Sequence, residues 1–407
     1  MHLLVINSGS SSIKFSVFAA ANKTPQSRYE GEVSGIGSGH ATFAFHNIAH
    51  PDRKPATAVK ADDPIKAIGK VVDAVSAPGI PAIDTVGYRV VHPGAKLDRH
   101  VRITDEVLRD LDEAVIFAPL HDPSAIKIIR ETMKRFPNVP HFACFDTVFH
   151  HTMPEVATAY AIPDKYRAQG VRRYGFHGLS CESIVEQIRT ANEPIPHRMV
   201  IAHLGSGCSV TALIDGASVD TSMGLTPTGG VVMGTRPGDL DPGLVLYLLR
   251  AMTGDRTQAF SAVETLLNHD SGIAALSGLP NDMRSTREAA ASGNPRAQFA
   301  IDVFTRSVRK TIGSFSWLLG GLDAIVFTGG IGEHDARSRD EIVSGLNTLG
   351  VQMDPVLNNA EKRSAQSDIH CISVSESKTR ILLIPAKEDW MIATHVQHML
   401  SNERPRF

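Results

Sequence analysis

Residues 5–15 run Val-Ile-Asn-Ser-Gly-Ser-Ser-Ser-Ile-Lys-Phe. The apolar run Leu3–Ile6 leads into them and the alternating run Ile13–Phe18 leads out, so the segment reads as strand, small-residue turn, strand. The same pattern returns later. Met199–Ala202 is apolar, Gly205-Ser206-Gly207 is a turn, Ser209–Ile214 alternates, and Asp215-Gly216 is a hairpin signal. One echo across half the chain, without a short repeat, predicts two related halves, each with one hairpin, facing a common cleft. With no low-complexity linker, the boundaries are expected at hinges near 147–152 and 384–388.

Outward from the hairpins, strand and helix signals alternate, which indicates an α/β protein. Ala41–His46, Thr85–Val91, His141–Phe145, Asp323–Phe327 and Leu382–Pro385 read as strands. Ile65, Ile68, Val72 and Val75 recur at helical spacing, Thr104 is an N-cap candidate, and Asp122-Pro123 opens a helix with proline in its first turn. Residues 295–319 carry the clearest apolar stripe: Ala297, Ala300, Ile301, Phe304, Val308, Ile312, Phe315 and Leu319. Asp389–Leu400 reads as the last helix.

Composition removes several function classes. At 407 residues the chain has room for two or three domains, and 42% hydrophobic with 21% charged residues excludes disorder and coiled coil. Lys+Arg of 41 against Asp+Glu of 43 gives −2, so nucleic acid is not the expected partner. No run approaches the ~18 apolar residues of a membrane helix. Four scattered cysteines without a CxxC pair argue for a reducing compartment and against a zinc site.

No GxxxxGK[ST] and no convincing GxGxxG is present. Three small-residue turns instead follow strands, at 7–12, 204–209 and 328–333. Each is a plain hairpin turn or a cradle of backbone N–H groups for phosphate, and Lys14 two residues beyond the first favours the cradle. Arg89 stands at a strand end before His92-Pro93-Gly94, and Arg236 stands between Gly234 and Gly238. Either is a solvated surface arginine or a planar fork for phosphate or carboxylate. Asp146 ends an apolar strand where open α/β sheets place ligands, or else caps a helix. His150 and His151 leave a metal hydrolase conceivable, although no HExxH is present. His177 lies in Gly175-Phe176-His177-Gly178, a context for an imidazole fixed by its loop. Glu388 either ligates Mg²⁺ or favours a helix N-terminus.

From end to end the chain resembles the acetokinase family, which includes acetate, propionate and butyrate kinases. The resemblance is carried by VINSGSSSIKF (5–15), GYRVVHPG (87–94), APLHDP (118–123), FDTVFH (145–150), RRYGFHG (172–178), HLGSGCS (203–209), DTSMGLTP (220–227), GTRPGDLDP (234–242), NDMR (281–284) and FTGGIGE (327–333). It implies the sugar kinase/Hsp70/actin superfold, with two RNase H-like domains flanking a nucleotide cleft. Residues 1–149 with 386–407 are expected to form the acyl kinase domain, and 150–385 the nucleotide-binding domain. It further implies a cytoplasmic homodimer, with no nucleic-acid or membrane partner, that transfers phosphate between ATP and acetate with Mg²⁺, Mn²⁺ being able to substitute.

Carried over residue by residue, Asn7 and Glu388 would hold the metal, and Ser10, Ser12 and Lys14 would meet the ATP phosphates. Arg89 would pair with the substrate carboxylate. Asp146 would be the catalytic carboxylate, and His177 and Arg236 would stabilise the transferring phosphoryl group. Val91, Leu120, Phe176 and Pro227 match the family's acyl pocket. His203, Leu204, Gly205, Ser206, Gly207, Asp282, Met283, Arg284, Gly329, Gly330, Ile331, Gly332 and Glu333 would line the nucleotide site. The chain departs from the family at Ser206 and Asp122, both usually Asn, at Leu179 and Cys181, usually Thr and His, at Pro237, usually Ser, and at Ala386-Lys387-Glu388-Asp389, usually Thr-Asn-Glu-Glu. The rivals are a propionate or butyrate kinase of this family and a non-catalytic nucleotide-binding protein of the same superfold.

Overall fold

The computed structural model of the protein describes residues 1–9, 11–20, 24–50, 55–118, 122–252, 255–360 and 367–403. Two compact units divide the chain: Met1–Val148 with Gly178–Ser183 and Lys387–Phe407, and Phe149–His177 with Ile184–Ala386.

The first unit is built on a sheet of eight strands in the order β5-β4-β3-β2-β1-β6-β8-β7. These are β1 (His2–Ser8), β2 (Ser12–Ala19), β3 (Gln26–Ser34), β4 (Thr42–Asn47), β5 (Thr57–Ala58), β6 (Thr85–Val90), β7 (Val101–Arg102) and β8 (His141–Phe145). The β1–β2 pair is the hairpin read at residues 5–15; its register sets Asn7 opposite Lys14 and Ser8 opposite Ile13. Small residues suit that turn because Gly9 N–H bonds back to Ser12 C=O at 2.8 Å. β1, β6 and β8 run parallel, as their continuous apolar burial requires.

One face of this sheet packs on Ala67, Ile68, Val71, Val72 and Val75 of helix Pro64–Val75 and on Ile126, Ile128 and Ile129 of helix Asp122–Arg135. Ile65, on the same predicted stripe, is 48% exposed, so only part of that spacing is core. The other face packs Leu3, Val5, Phe142 and Cys144 against Met391, Ile392, Ala393 and Val396 of the last helix, Glu388–Glu403. Gly87 is required there: a Cβ on it would sit 2.8 Å from Val396 Cγ2 and 2.9 Å from Ile392 Cγ2. Gly87→Val is therefore expected to destabilise the protein by at least about 1–3 kcal/mol through overpacking; a thermal midpoint equal to the natural protein's would refute this close approach.

The second unit repeats the arrangement. Its sheet is ordered β11-β10-β9-β12-β14-β13, from β9 (Arg198–Leu204), β10 (Cys208–Ile214), β11 (Ala217–Thr221), β12 (Ala324–Thr328), β13 (His370–Cys371) and β14 (Arg380–Leu383). The run β3-β2-β1-β6-β8 in one sheet matches β11-β10-β9-β12-β14 in the other, strand for strand in direction. This is the structural content of the echo between residues 5–15 and 203–209. Asp215 and Gly216 both take positive φ, 51° and 81°, as a two-residue hairpin turn demands. Helix Pro295–Leu318 buries Ala297, Ala300, Ile301, Phe304, Val308, Ile312 and Phe315, the stripe expected, with Leu319 half-buried as its C-cap. Residues 328–333 differ from expectation. They form no turn: after Thr328 the chain enters a short helix, Gly329–His334. A side chain at 329 would collide with Leu204 backbone at 2.8 Å, so Gly329 alone admits this geometry, at φ 77°.

Candidate active site

In the first unit three candidate site residues sit at or just beyond the C-terminal ends of neighbouring parallel strands: Asn7 on β1, Arg89 on β6 and Asp146 immediately after β8. That is where open α/β sheets gather ligands. Arg89 is neither solvated nor loose. Its Nε donates to Asp146 Oδ1 at 3.0 Å, its Nη2 makes a short contact to Asp146 Oδ2, and Glu388 lies 3.8 Å from its Nε. Burial works against the Arg89 charge, but Asp146 and Glu388 outweigh it and push its pKa up. Asp146 is 1% exposed. Burial, helped by Glu388 and opposed by Arg89, pushes its carboxyl up to about 6. Asp146 takes Arg89 with both carboxylate oxygens. Its backbone C=O receives the Gly178 N–H at 2.8 Å, so both ends of the residue are fixed.

Asn7 Nδ2 donates to Glu388 Oε2 at 3.1 Å and to Asp389 Oδ1 at 3.0 Å, while Ser16 Oγ donates to Asp389 Oδ2 at 2.7 Å. Burial raises the Asp389 pKa against these bonds. Sequence reasoning noted Asp389 only as a departure from the usual Glu and overlooked Ser16. Their separation, 373 residues, leaves no local pattern to find. Lys387 N–H donates to Ser183 Oγ at 3.1 Å, which fixes the start of the helix bearing Glu388. Ser12 is half-buried and Lys14 exposed on β2. Ser10 and Leu120 lie outside the described residues. Val91 is buried, 8% exposed.

In the second unit the C-terminal ends of β9 and β12 are neighbours, with Thr328 opposite His203. This brings the 205–207 turn beside the start of Gly329–His334; a Cβ on Gly205 would lie 3.9 Å from Gly330 N. A Cβ on Gly207 would be 3.3 Å from His177 Nε2 and 3.6 Å from Arg236 Nη1. His177, Gly207 and Arg236 thus share one spot. Arg236 is anchored by Nη1 donation to Pro227 C=O at 2.9 Å. His177 holds a left-handed backbone, φ 57°, uncommon for a residue with a side chain, and its Nδ1 bonds Ser209 Oγ at 3.0 Å. Its ring stacks on His203, centroids 4.2 Å apart. Phe176 and Pro227 are buried.

Other expected nucleotide residues support the loops. Asp282 caps helix Met283–Ala291 by accepting the Arg284 and Ser285 N–H groups; Met283 is half-buried and Arg284 exposed. Asn281 Nδ2 donates to Ser206 Oγ at 2.9 Å, a bond within the loop cluster that sequence reasoning missed. Glu333 Oε1 accepts Gly329 N–H at 2.9 Å and Ala386 N–H at 3.1 Å. Gly330 leaves space for a ligand: a Cβ there would meet nothing within 4 Å. Gly332 C=O and Glu333 C=O both accept from Arg339 Nη1, and Arg339 is fully buried, which no motif advertised. Arg339→Met would strand those carbonyls and Asn358. The expected cost is about 2–4 kcal/mol of stability, read by denaturant melts.

The hydrolase alternative finds no support. His150 Nε2 donates to Phe176 C=O and its Nδ1 accepts from Ser218 Oγ, both at 2.9 Å, and burial pulls its pKa down to about 4. Both nitrogens are committed to packing. Among the described residues, His100, Glu182 and His395 place ligand-type atoms within 4.8 Å of one another. His100 Nδ1 accepts the Phe145 N–H at 3.1 Å, so the neutral ring carries its proton on Nε2. Neither nitrogen offers a metal its lone pair without losing a proton or that bond. What the trio holds is a hydrogen bond, His395 Nε2 to Glu182 Oε2 at 2.9 Å, under a packed imidazole.

No described helix is long and apolar enough to cross a membrane. Residues 2–394 match the acetokinase family. A curated acetate kinase from Halothermothrix orenii is 39% identical over 97% of this chain and 98% of its own. The crystal structure of a propionate kinase from Francisella tularensis superposes with TM-score 0.86 at 35% identity, covering 97% of this chain and 98% of that one. The Porphyromonas gingivalis acetate kinase structure gives 0.84 at 30%, covering 98% and 99%. With the two matched sheets, the clustered Arg89 and Asp146 and the paired glycine loops already in place, these likenesses make the chain a member of the acetokinase family of kinases.

Proposed function

We propose that the protein transfers the γ-phosphoryl group of ATP reversibly to the carboxylate of acetate, giving acetyl phosphate and ADP, with residues 1–149 and 386–407 serving the acid and 150–385 the nucleotide. The observation that carries this reading is the Arg89–Asp146 pair with Glu388 and Asn7 beside it. Phosphoryl transfer needs alignment and cancellation of charge rather than elaborate covalent chemistry. Arg89 spends two of its five donors on Asp146, which leaves others for a substrate carboxylate. A carboxylate nucleophile brings no proton at neutral pH, so Asp146 positions Arg89 and the acid rather than acting as a base. His177 and Arg236 serve the transferring group.

Asn7, Glu388 and Asp389 form a hard oxygen-donor set that fits Mg²⁺ or Mn²⁺, and the mutual repulsion of the two carboxylates favours a cation there. The bound ion would neutralise phosphate charge.

Val91 at the acid's end favours acetate over longer acids. One methylene is worth about 1–3 kcal/mol, so propionate remains the second substrate to test. The test is hydroxylamine trapping with ATP, Mg²⁺ and acetate, propionate, butyrate or no acid. Acetate is expected to give the highest kcat/KM. If none of the three acids gives hydroxamate while ATP still binds, the protein moves to the non-catalytic reading.

The homodimer is supported by helix Pro242–Ala251, which buries no side chain and exposes Leu246 at 51% and Tyr247 at 63%. Light scattering is expected to give twice the chain mass, and Tyr247→Asp to shift it toward the monomer.

A further inference from the structure

The surroundings of Asp122 are unlike those of a helix-capping aspartate. It opens helix Asp122–Arg135 and is 1% exposed. Its carboxylate faces the backbone N–H groups of Val91 and His92, the latter at a long 3.4 Å from Oδ1, while Oδ2 is buried with no hydrogen-bond partner among the described residues. A buried oxygen without a partner is poorly compatible with a carboxylate and well compatible with a neutral carboxyl. Val91 is the acyl-pocket residue of the proposed function, so Asp122 supports the wall of the acid's site from behind.

Among the described residues, the charged groups that bear on Asp122 are few. Asp146 disfavours its charge and Arg89 favours it. On the helices packed against its own, Asp112 pairs with Arg130 and Asp73 with Arg135, each at 2.7 Å on the exposed side. Its neighbour His92 accepts Gly94 N–H on Nδ1 at 2.9 Å and stacks on Phe117, as a neutral ring does. Burial dominates and pushes the Asp122 carboxyl up to about 7.

We propose that Asp122 is a positioning residue for the acid substrate: neutral, it lets Arg89 receive the substrate carboxylate, and ionised, it competes for Arg89 and repels that carboxylate. The inference rests on the proposed acyl kinase reading. It makes substrate binding and protonation of Asp122 mutually favourable, so binding the acid near neutral pH draws a proton from solvent onto an Asp122 oxygen.

The test follows KM for acetate from pH 6 to pH 8.5. In the natural protein KM is expected to rise roughly tenfold as one buried charge appears near the ligand, with a smaller change in kcat. Asp122→Asn, the neutral isostere, is expected to flatten the rise to under about threefold. Equal slopes in both proteins would overturn the proposal, even if the variant were more stable. A second measurement needs no variant: calorimetry of acetate binding at pH 7.5 in two buffers of different ionisation enthalpy, where net proton uptake is expected and its absence would overturn the proposal. Failure of every acid to give hydroxamate would instead sink the activity, a separate result. A folding check has its own sign. With a folded pKa raised above 3.8, Asp122 costs stability as pH rises from about 4 to about 7. Asp122→Asn should therefore melt higher than the natural protein at pH 8 and equally at pH 4.

Discussion

Replacing Arg236 by alanine lowers kcat by roughly 10³–10⁵, with much smaller changes in KM, if it acts on the transferring phosphoryl group as arginine fingers do. The expectation follows from its setting. The guanidinium is tied to Pro227 C=O, and it meets His177 Nε2 across Gly207. A rigid fork fixed before substrate arrives loses little entropy when it binds transition-state charge. Arg236→Lys keeps the charge and loses the fork, so it should recover only a small part of the rate. Single-turnover hydroxamate formation with saturating ATP and acetate is the measurement. A loss confined to KM would place Arg236 in ground-state binding instead.

Asp146→Asn carries the second large effect. The substitution keeps the shape and removes the charge that orients Arg89. Arg89 then has Glu388, 3.8 Å from its Nε, as an anionic neighbour within ion-pair reach, with Asp389 beyond it. Turning toward Glu388 would take the guanidinium from the acid and disturb the oxygen set around Asn7. Misplacement of about 1 Å can cost 10²-fold, so kcat/KM for acetate should fall by at least about that factor. Breaking a buried pair from one side also costs about 3–5 kcal/mol of stability. Asp146→Asn, Arg89→Met double substitution should restore much of the stability and none of the activity. In the proposed mechanism the carboxylate form is the working one, and burial pushes its pKa up to about 6. Activity should therefore fall as pH drops through about 6. An Asn variant with unchanged kcat/KM would remove Asp146 from the mechanism.

The hairpins, the parallel strands and the long helix were legible in the sequence because each is specified locally. Small residues mark turns, alternation marks strands, and the stripe from Ala297 to Phe315 has one period. Asp146 and Arg89 could be nominated from strand ends, but their pairing could not, since 57 residues separate them. The Asn7–Asp389–Ser16 cluster was invisible for the same reason. His177 was nominated from its flanking glycines, but its left-handed backbone and its place beside Gly207 and Arg236 were not legible. Residues 328–333 misled because glycine enrichment reads as a turn; whether such a segment coils into a helix depends on Leu204 pressing against Gly329.

The joining of Asn7 to Glu388 and Asp389 has a consequence for how the protein is made. These partners are 381 and 382 residues apart in sequence. At about 5–20 residues per second, a strand that leaves the ribosome early waits ~20–80 s for the helix that completes it. Until then the faces of Leu3, Val5 and Cys144 that Ile392 and Val396 later cover stay open to water. The earlier half of the protein is thus made first and finished last. Stalled or prematurely terminated chains would display a sticky, inactive sheet, the form that chaperones and proteases recognise.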